Sequence, residues 1–111
     1  KIFKIYKDIL SKNSNIFCVD KVDGKRTHAA WLFTLISEEK DRIQKKLREK
    51  RIESNQVHFR NDKYSIFKKF VKGKSFPNMD YVENKYLALP VHHKVSKQKA
   101  KYIADQINKI V

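Results

Sequence analysis

AAWLFTLISEEKDRIQKKLREKRIESNQVHFRND, residues 29–62, is the stretch on which the fold turns. Residues 29–36 form an unbroken apolar run rich in aromatic and branched side chains. Such a run reads as a strand buried on both faces, hence a central one. Ser37 then offers an N-cap, and Glu38 and Glu39 supply the acidic first turn that a helix dipole favours. In the helix that follows, Ile43 and Leu47 lie at i, i+4 with Ile52 just beyond. The rest of 38–51 is mostly charged, so one narrow face is buried. Glu38→Arg42 and Asp41→Lys45 are spaced to pair along the exposed side. A second strand is predicted from about 55 to 60, where Gln56, Val57, His58, Phe59 and Arg60 alternate before stopping at Asn61-Asp62. Alternation sends His58 and Arg60 to one side and Val57 and Phe59 to the other, toward the core. Strand, helix and strand in this order predict a crossover unit with a parallel pair.

Outward from this centre, Ile2, Phe3, Ile5, Tyr6, Ile9 and Leu10 make one broad apolar stripe at helical spacing. Residues 11–15 are a polar break, and 16–28 are irregular with a turn at Asp23-Gly24. On the other side, 64–70 reads as a short helix ended by Gly73. Phe76-Pro77-Asn78 starts another, with Met79, Val82 and Tyr86 on one side. Leu87-Ala88-Leu89 reads as a third strand stopped by Pro90. Ser96 caps the last helix, where Ala100, Ile103, Ala104, Ile107 and Val111 repeat at the spacing of one apolar face. Lys97 and Lys99 in its first turn oppose the dipole. The fold class is therefore α+β: a small mixed sheet of about three strands with flanking helices. Trp31 and Phe33 are expected in its core.

At 111 residues the chain suits one domain, and its 41% hydrophobic content is enough for a core. Lys and Arg number 26 against 12 Asp and Glu, a net charge of +14. That excess would attract polyanions such as nucleic acid, anionic lipid or a phosphorylated small molecule, or it is a lysine-rich solvated surface. The clusters KKLREKR (45–51), KKFVKGK (68–74) and KVSKQKAK (94–101) are compatible with a stand-alone basic nucleic-acid-binding module. Against it, the aromatics sit at core spacing and the usual nucleic-acid motifs are missing. Two glycines, Gly24 and Gly73, exclude a phosphate-cradling glycine-rich loop. His28, His58, His92 and His93 with one cysteine make no structural zinc pattern. Neither a nucleophile elbow nor an acid/base pair of carboxylates is evident, so the chain alone lacks the parts of a self-sufficient enzyme. It starts at Lys1 without a signal peptide or transmembrane run, which suggests part of something longer. The lone Cys18 fits a reducing cytoplasm.

Three segments together carry a resemblance. HAAWLFTLISEEKDRIQKKLREKRIESNQVHFRNDKYSIF (28–67) resembles the opening of the small domain of the DegT-type nucleotide-sugar aminotransferases. FPNMDYVENKYLALPVHHKVSKQKAKYIADQINKIV (76–111) is similar to the family's C-terminal ending, and KIFKIYKDIL (1–10) to the helix leading into that domain. The VHFRNDKYSIF form is closest to the perosamine-synthase-like branch, which aminates 4-keto-6-deoxy nucleotide sugars. Two departures stand out. Lys50-Arg51-Ile52 replaces the family's Gly-Ile, and 96–99 replaces a more acidic cap.

The resemblance implies a fragment of a larger, cytoplasmic pyridoxal-phosphate enzyme of polysaccharide biosynthesis. Residues 1–15 would link from an absent large N-terminal domain, and 16–111 would be the small domain. The large domain would hold the pyridoxal phosphate on its Schiff-base lysine, leaving this chain inactive alone and without catalytic, cofactor-binding or metal-ligating residues. The full enzyme would be a homodimer moving an amino group, from glutamate, to a nucleotide-diphosphate sugar, with no membrane or nucleic-acid partner. An apolar flank at Ile2, Ile5 and Ile9 would lie under the large domain. By the same resemblance His58, Arg60, Asn61, Asp62 and Tyr64 line the nucleotide-sugar side. The chemistry is compatible: Arg offers a fork for a diphosphate, and His exchanges hydrogen bonds with a sugar hydroxyl. Ordinary turn chemistry is the competing reading of Asn61-Asp62. His92 and His93 read as a solvated strand end.

Overall fold

Three amphipathic helices lay their apolar faces on one side of a small sheet. The computed structural model describes residues 1–111. Its elements are α1 (Ile2–Leu10), β1 (Phe17–Cys18), β2 (Phe33–Ile36), α2 (Lys40–Glu49), α3 (Lys68–Val71), α4 (Pro77–Val82), β3 (Tyr86–Leu89) and α5 (Lys97–Ile110), with 3-10 turns at Asn61–Lys63 and Ser65–Phe67. The sheet order is β1-β2-β3. Register pairs Cys18 with Leu35, Leu35 with Leu87 and Phe33 with Leu89. These side chains share one face, and that face carries the core together with Tyr6, Leu10, Ile43, Leu47, Ala100, Ile103, Ala104 and Ile107. α5 packs against both α1 and α2. The α+β class and a three-stranded sheet with β2 central are as the sequence indicates, but β1 lies in the stretch read as irregular and stands in place of the strand expected at 55–60.

Local signals account for the elements around this core. Ser96 caps α5, its hydroxyl accepting from the Lys99 N–H at 3.1 Å. Pro77 stands at the first position of α4, where its missing N–H costs nothing. Gly73 ends the α3 segment with φ +73°, a conformation that favours glycine. Tyr6 is buried and its hydroxyl donates to the Pro90 carbonyl at 3.1 Å; burial pushes its phenol well above the usual range. Helix α2 ends in a Schellman motif. Arg51 N–H donates to the Arg48 carbonyl and Ile52 N–H to the Leu47 carbonyl, both at 2.9 Å. Arg51 thereby takes φ +58°. This is the left-handed position for which glycine is suited, so the Lys50-Arg51-Ile52 departure keeps the motif and strains one residue.

Several expectations are overturned. Residues 55–60 are not a ladder strand. Only Asn55 bridges to Ala88, donating at 3.3 Å and accepting at 2.9 Å. Both edges of β2 are already taken, by β1 and β3, and each pairing is antiparallel. The returning chain therefore has no place beside β2, and the sheet is antiparallel throughout, without a parallel crossover pair. Val57 and Phe59 are exposed and do not face the core. Phe33 is in the core, but Trp31 is 69% exposed. Ala30 takes φ +55° just before it, so the first half of the apolar run is turned out of the strand. Ile2, Ile5 and Ile9, expected on a flank under a large domain, are half-buried against the core. The pairs Glu38–Arg42 and Asp41–Lys45 do not form. Glu38 reaches Lys85 at 2.7 Å, Glu39 meets Arg42 at 3.4 Å, and Asp41 meets Lys40 at 2.5 Å. Ser37 does accept from Glu39 N–H at 3.2 Å, one turn ahead of α2. No helix is long and apolar enough to cross a membrane.

Candidate functional site

Residues 56–60 lie outside the ladder, so their backbone needs other partners. Tyr86, at the start of β3, provides them. Its hydroxyl donates to the His58 carbonyl at 2.7 Å and accepts from the His58 N–H at 3.1 Å. The Gln56 side-chain amide donates to the Glu83 carbonyl. Beyond Arg60 the chain coils through the two 3-10 turns and α3, and α4 brings it back. An open cavity of about 820 Å³ results. His58, Arg60, Asn61, Asp62 and Tyr64, the five residues singled out in the sequence, all line it. Met79, Val82 and Tyr86, read as one side of the α4 segment, line it too, and so does Glu83.

The structure separates these residues by what they have left to offer. Arg60 is only 7% exposed. Its Nε and one terminal nitrogen donate to the two Asp62 oxygens at 2.9 and 2.6 Å. The other terminal nitrogen donates to Asp80 at 2.5 Å and to Glu83 at 3.1 Å. Four of its five N–H groups are thus engaged. The fork expected to grip a diphosphate is closed on carboxylates, because the folded α4 delivers Asp80 and Glu83 to it. Hydrogen bonds donated to Asp62 and Asp80 raise the guanidinium's already high pKa. In return, the bond from Arg60 holds Asp62 below the usual carboxylate range, and bonds from Lys63 and then Arg60 do the same for Glu83.

His58 and Tyr64 remain exposed, whereas Arg60 is buried, so the two do not share a free side as strand alternation predicts. The His58 ring stands 6.4 Å from that of Trp31, and Phe59 meets Tyr64 edge-on at 5.0 Å. The site therefore presents aromatic faces, an imidazole and an exposed Asn61. Cys18 is buried in the core, its thiol pushed up to about 11 by burial, and offers no nucleophile. His92 and His93 are exposed beyond β3, as expected of a solvated strand end.

Reading the sequence missed Tyr86, Asp80, Glu83 and Trp31 as parts of this region. A signal for two of them was present: Asp80 and Glu83 lie at i, i+3 on a helix beside the apolar Met79 and Val82. In so basic a chain, two acids spaced for one helix face point to a specific cationic partner.

The sequence profile of the DegT/DnrJ/EryC1/StrS aminotransferase family matches residues 1–108. No curated protein matches the chain. Among solved structures, it is similar to the sugar aminotransferase CalS13 from Micromonospora echinospora, with a TM-score of 0.85 and 18% identity over 97% of this chain and 28% of that one. It is also similar to the aminotransferase TlmJ from Streptoalloteichus hindustanus, with a TM-score of 0.83 and 14% identity over 97% of this chain and 29% of that one. A third is the sugar aminotransferase Spr1654 from Streptococcus pneumoniae, solved in PLP and PMP forms. The PMP form gives a TM-score of 0.73 and 19% identity over 98% of this chain and 29% of that one. The chain spans under a third of the length of each.

Proposed function

We propose, since the chain belongs to the DegT/DnrJ/EryC1/StrS aminotransferase family, that it is the C-terminal small domain of a longer, cytoplasmic sugar aminotransferase. The full enzyme moves an amino group from glutamate to the keto carbon of a 4-keto-6-deoxy nucleotide sugar. One observation carries this reading: nearly the whole chain superposes on under a third of sugar-aminotransferase structures, at TM-scores up to 0.85. A large N-terminal domain, with residues 1–15 as its link to this one, supplies the rest, and the enzyme works as a homodimer.

The cofactor of that chemistry is pyridoxal phosphate, which stores the amino group between donor and acceptor. The residues of this cavity do not fit it. No lysine lines the cavity, and its one arginine is committed to carboxylates. The cofactor therefore belongs to the large domain. This chain's part is to orient the sugar and close the cleft, with His58, Asn61 and Tyr64 toward the substrate and Arg60 and Asp62 beneath them. The competing nucleic-acid reading rests on the +14 charge alone.

The test is to express the longer reading frame, load it with pyridoxal phosphate, and follow transfer from glutamate to a panel of 4-keto-6-deoxy nucleotide sugars by chromatography. Amination of one or more is expected, with none from residues 1–111 alone. A loaded enzyme inert to the whole panel, or oligonucleotide binding that falls steeply with salt, refutes the proposal.

A further inference from the structure

We infer that Arg60 and Tyr86 are positioning residues, and that the cavity they shape takes the uncharged hexose end of the substrate while the diphosphate is held outside it. The inference rests on the nucleotide-sugar reading above and says which part of that molecule this domain grips.

Charge is the first argument. Around the cavity two cations, Arg60 and Lys63, face three carboxylates, Asp62, Asp80 and Glu83. The local balance is negative although the chain carries +14. A diphosphate entering here would have to strip carboxylates from a guanidinium that is 7% exposed, or sit against them unpaired. Separating a shielded arginine from its partners is costly, because each partner is left as an uncompensated charge. Lys63 gives no alternative, since it is paired with Glu83.

Shape is the second argument. What the cavity leaves available is aromatic surface and a few polar groups outside the ion-pair cluster: Phe59, Tyr64, His58 and Asn61, with Trp31 beside His58. A lining of apolar faces with few directed polar groups suits a neutral ring with hydroxyls. The third argument is how His58 is held. Both of its backbone hydrogen-bonding groups are satisfied by the Tyr86 hydroxyl. Two residues on, Arg60 ties the same segment to α4 through Asp80 and Glu83. The backbone that carries the imidazole is thus held between two anchors, whose polar groups are largely spent on the protein.

The experiment uses the full-length, cofactor-loaded enzyme and its Arg60→Gln and Tyr86→Phe variants. Affinity is measured for the nucleotide sugar and for the matching nucleoside diphosphate, which lacks the hexose. Both variants are expected to weaken the nucleotide sugar by about tenfold or more and to leave the nucleoside diphosphate within about twofold. The glutamate half-reaction, read by the cofactor's absorbance, should keep its rate, which a general loss of structure would not allow. Equal weakening of both ligands by Arg60→Gln would make Arg60 a diphosphate ligand and overturn the inference. So would wild-type affinity for the nucleotide sugar in both variants. If Arg60→Gln does not fold, Tyr86→Phe decides alone, since it removes one hydroxyl and no charge. A wild-type enzyme that binds the nucleoside diphosphate and no nucleotide sugar would sink the functional reading, and this inference with it.

Discussion

The half of the molecule built from α1, α2, α5 and the sheet differs from the arm of residues 56–82 in what holds it together. The first half buries Phe33, Leu35, Leu47, Leu87 and Ile107 completely and satisfies its backbone in ladders and helices. The arm's short helices and turns bury none of their residues, and Ile66, Phe70 and Tyr81 are exposed. Its one buried side chain past the bridge at Asn55 is an arginine among carboxylates. Non-directional burial makes the scaffold; a few directed polar contacts set the geometry of the cavity. The first resists change by bulk, whereas the second depends on single atoms.

That contrast can be broken at several points. The largest effect is expected in the core: Phe33→Ala should cost about 3–5 kcal/mol in chemical denaturation, while Phe70→Ala in the arm should stay within about 0.5 kcal/mol. Equal losses would mean that the arm is packed like the core. Arg60→Gln comes next. Amide exchange should rise across 56–82 with the protection of β2 and α5 unchanged, and a uniform rise would tie the arm into the global unfolding unit.

Acid should act on the same place. Asp62 and Glu83 have folded pKa values below their unfolded ones, so their contribution is complete above the usual carboxylate range and is lost as pH falls through the folded values. Arm protection should hold from neutral pH down to about pH 4 and fail below it, and failure near neutrality would contradict the arrangement. The smallest effect is at the α2 terminus. Arg51→Gly removes the left-handed strain at φ +58° and should stabilise the chain by about 0.5–1 kcal/mol, read as a raised Tm. A loss there would show that the Arg51 side chain makes contacts that outweigh its backbone.

The amino-acid sequence by itself determined most of the scaffold. The stripes at 2–10 and 97–110, the pair Ile43 and Leu47, the Ser96 cap and the Pro77 start were legible, and so were β3 at 87–89 and, within a longer run read as 29–36, β2, because each depends on neighbours within a turn or two. The resemblance also singled out His58, Arg60, Asn61, Asp62 and Tyr64, which line one cavity. What only the tertiary structure decided is where those side chains spend their interactions. Alternation at 56–60 predicts a strand beside β2 with Val57 and Phe59 inward, but β1 and β3 occupy both sides of β2, and past the Asn55 bridge to Ala88 the segment is held by the Tyr86 hydroxyl instead. Arg60 reads as an open fork until α4 folds back with Asp80 and Glu83, and Trp31 reads as core until Ala30 turns the chain. Short-range periodicity records helix faces and caps; the neighbours of β2 and two of the three carboxylates on the guanidinium come from distant segments, the carboxylates from 20 and 23 residues away, and no local pattern encodes them.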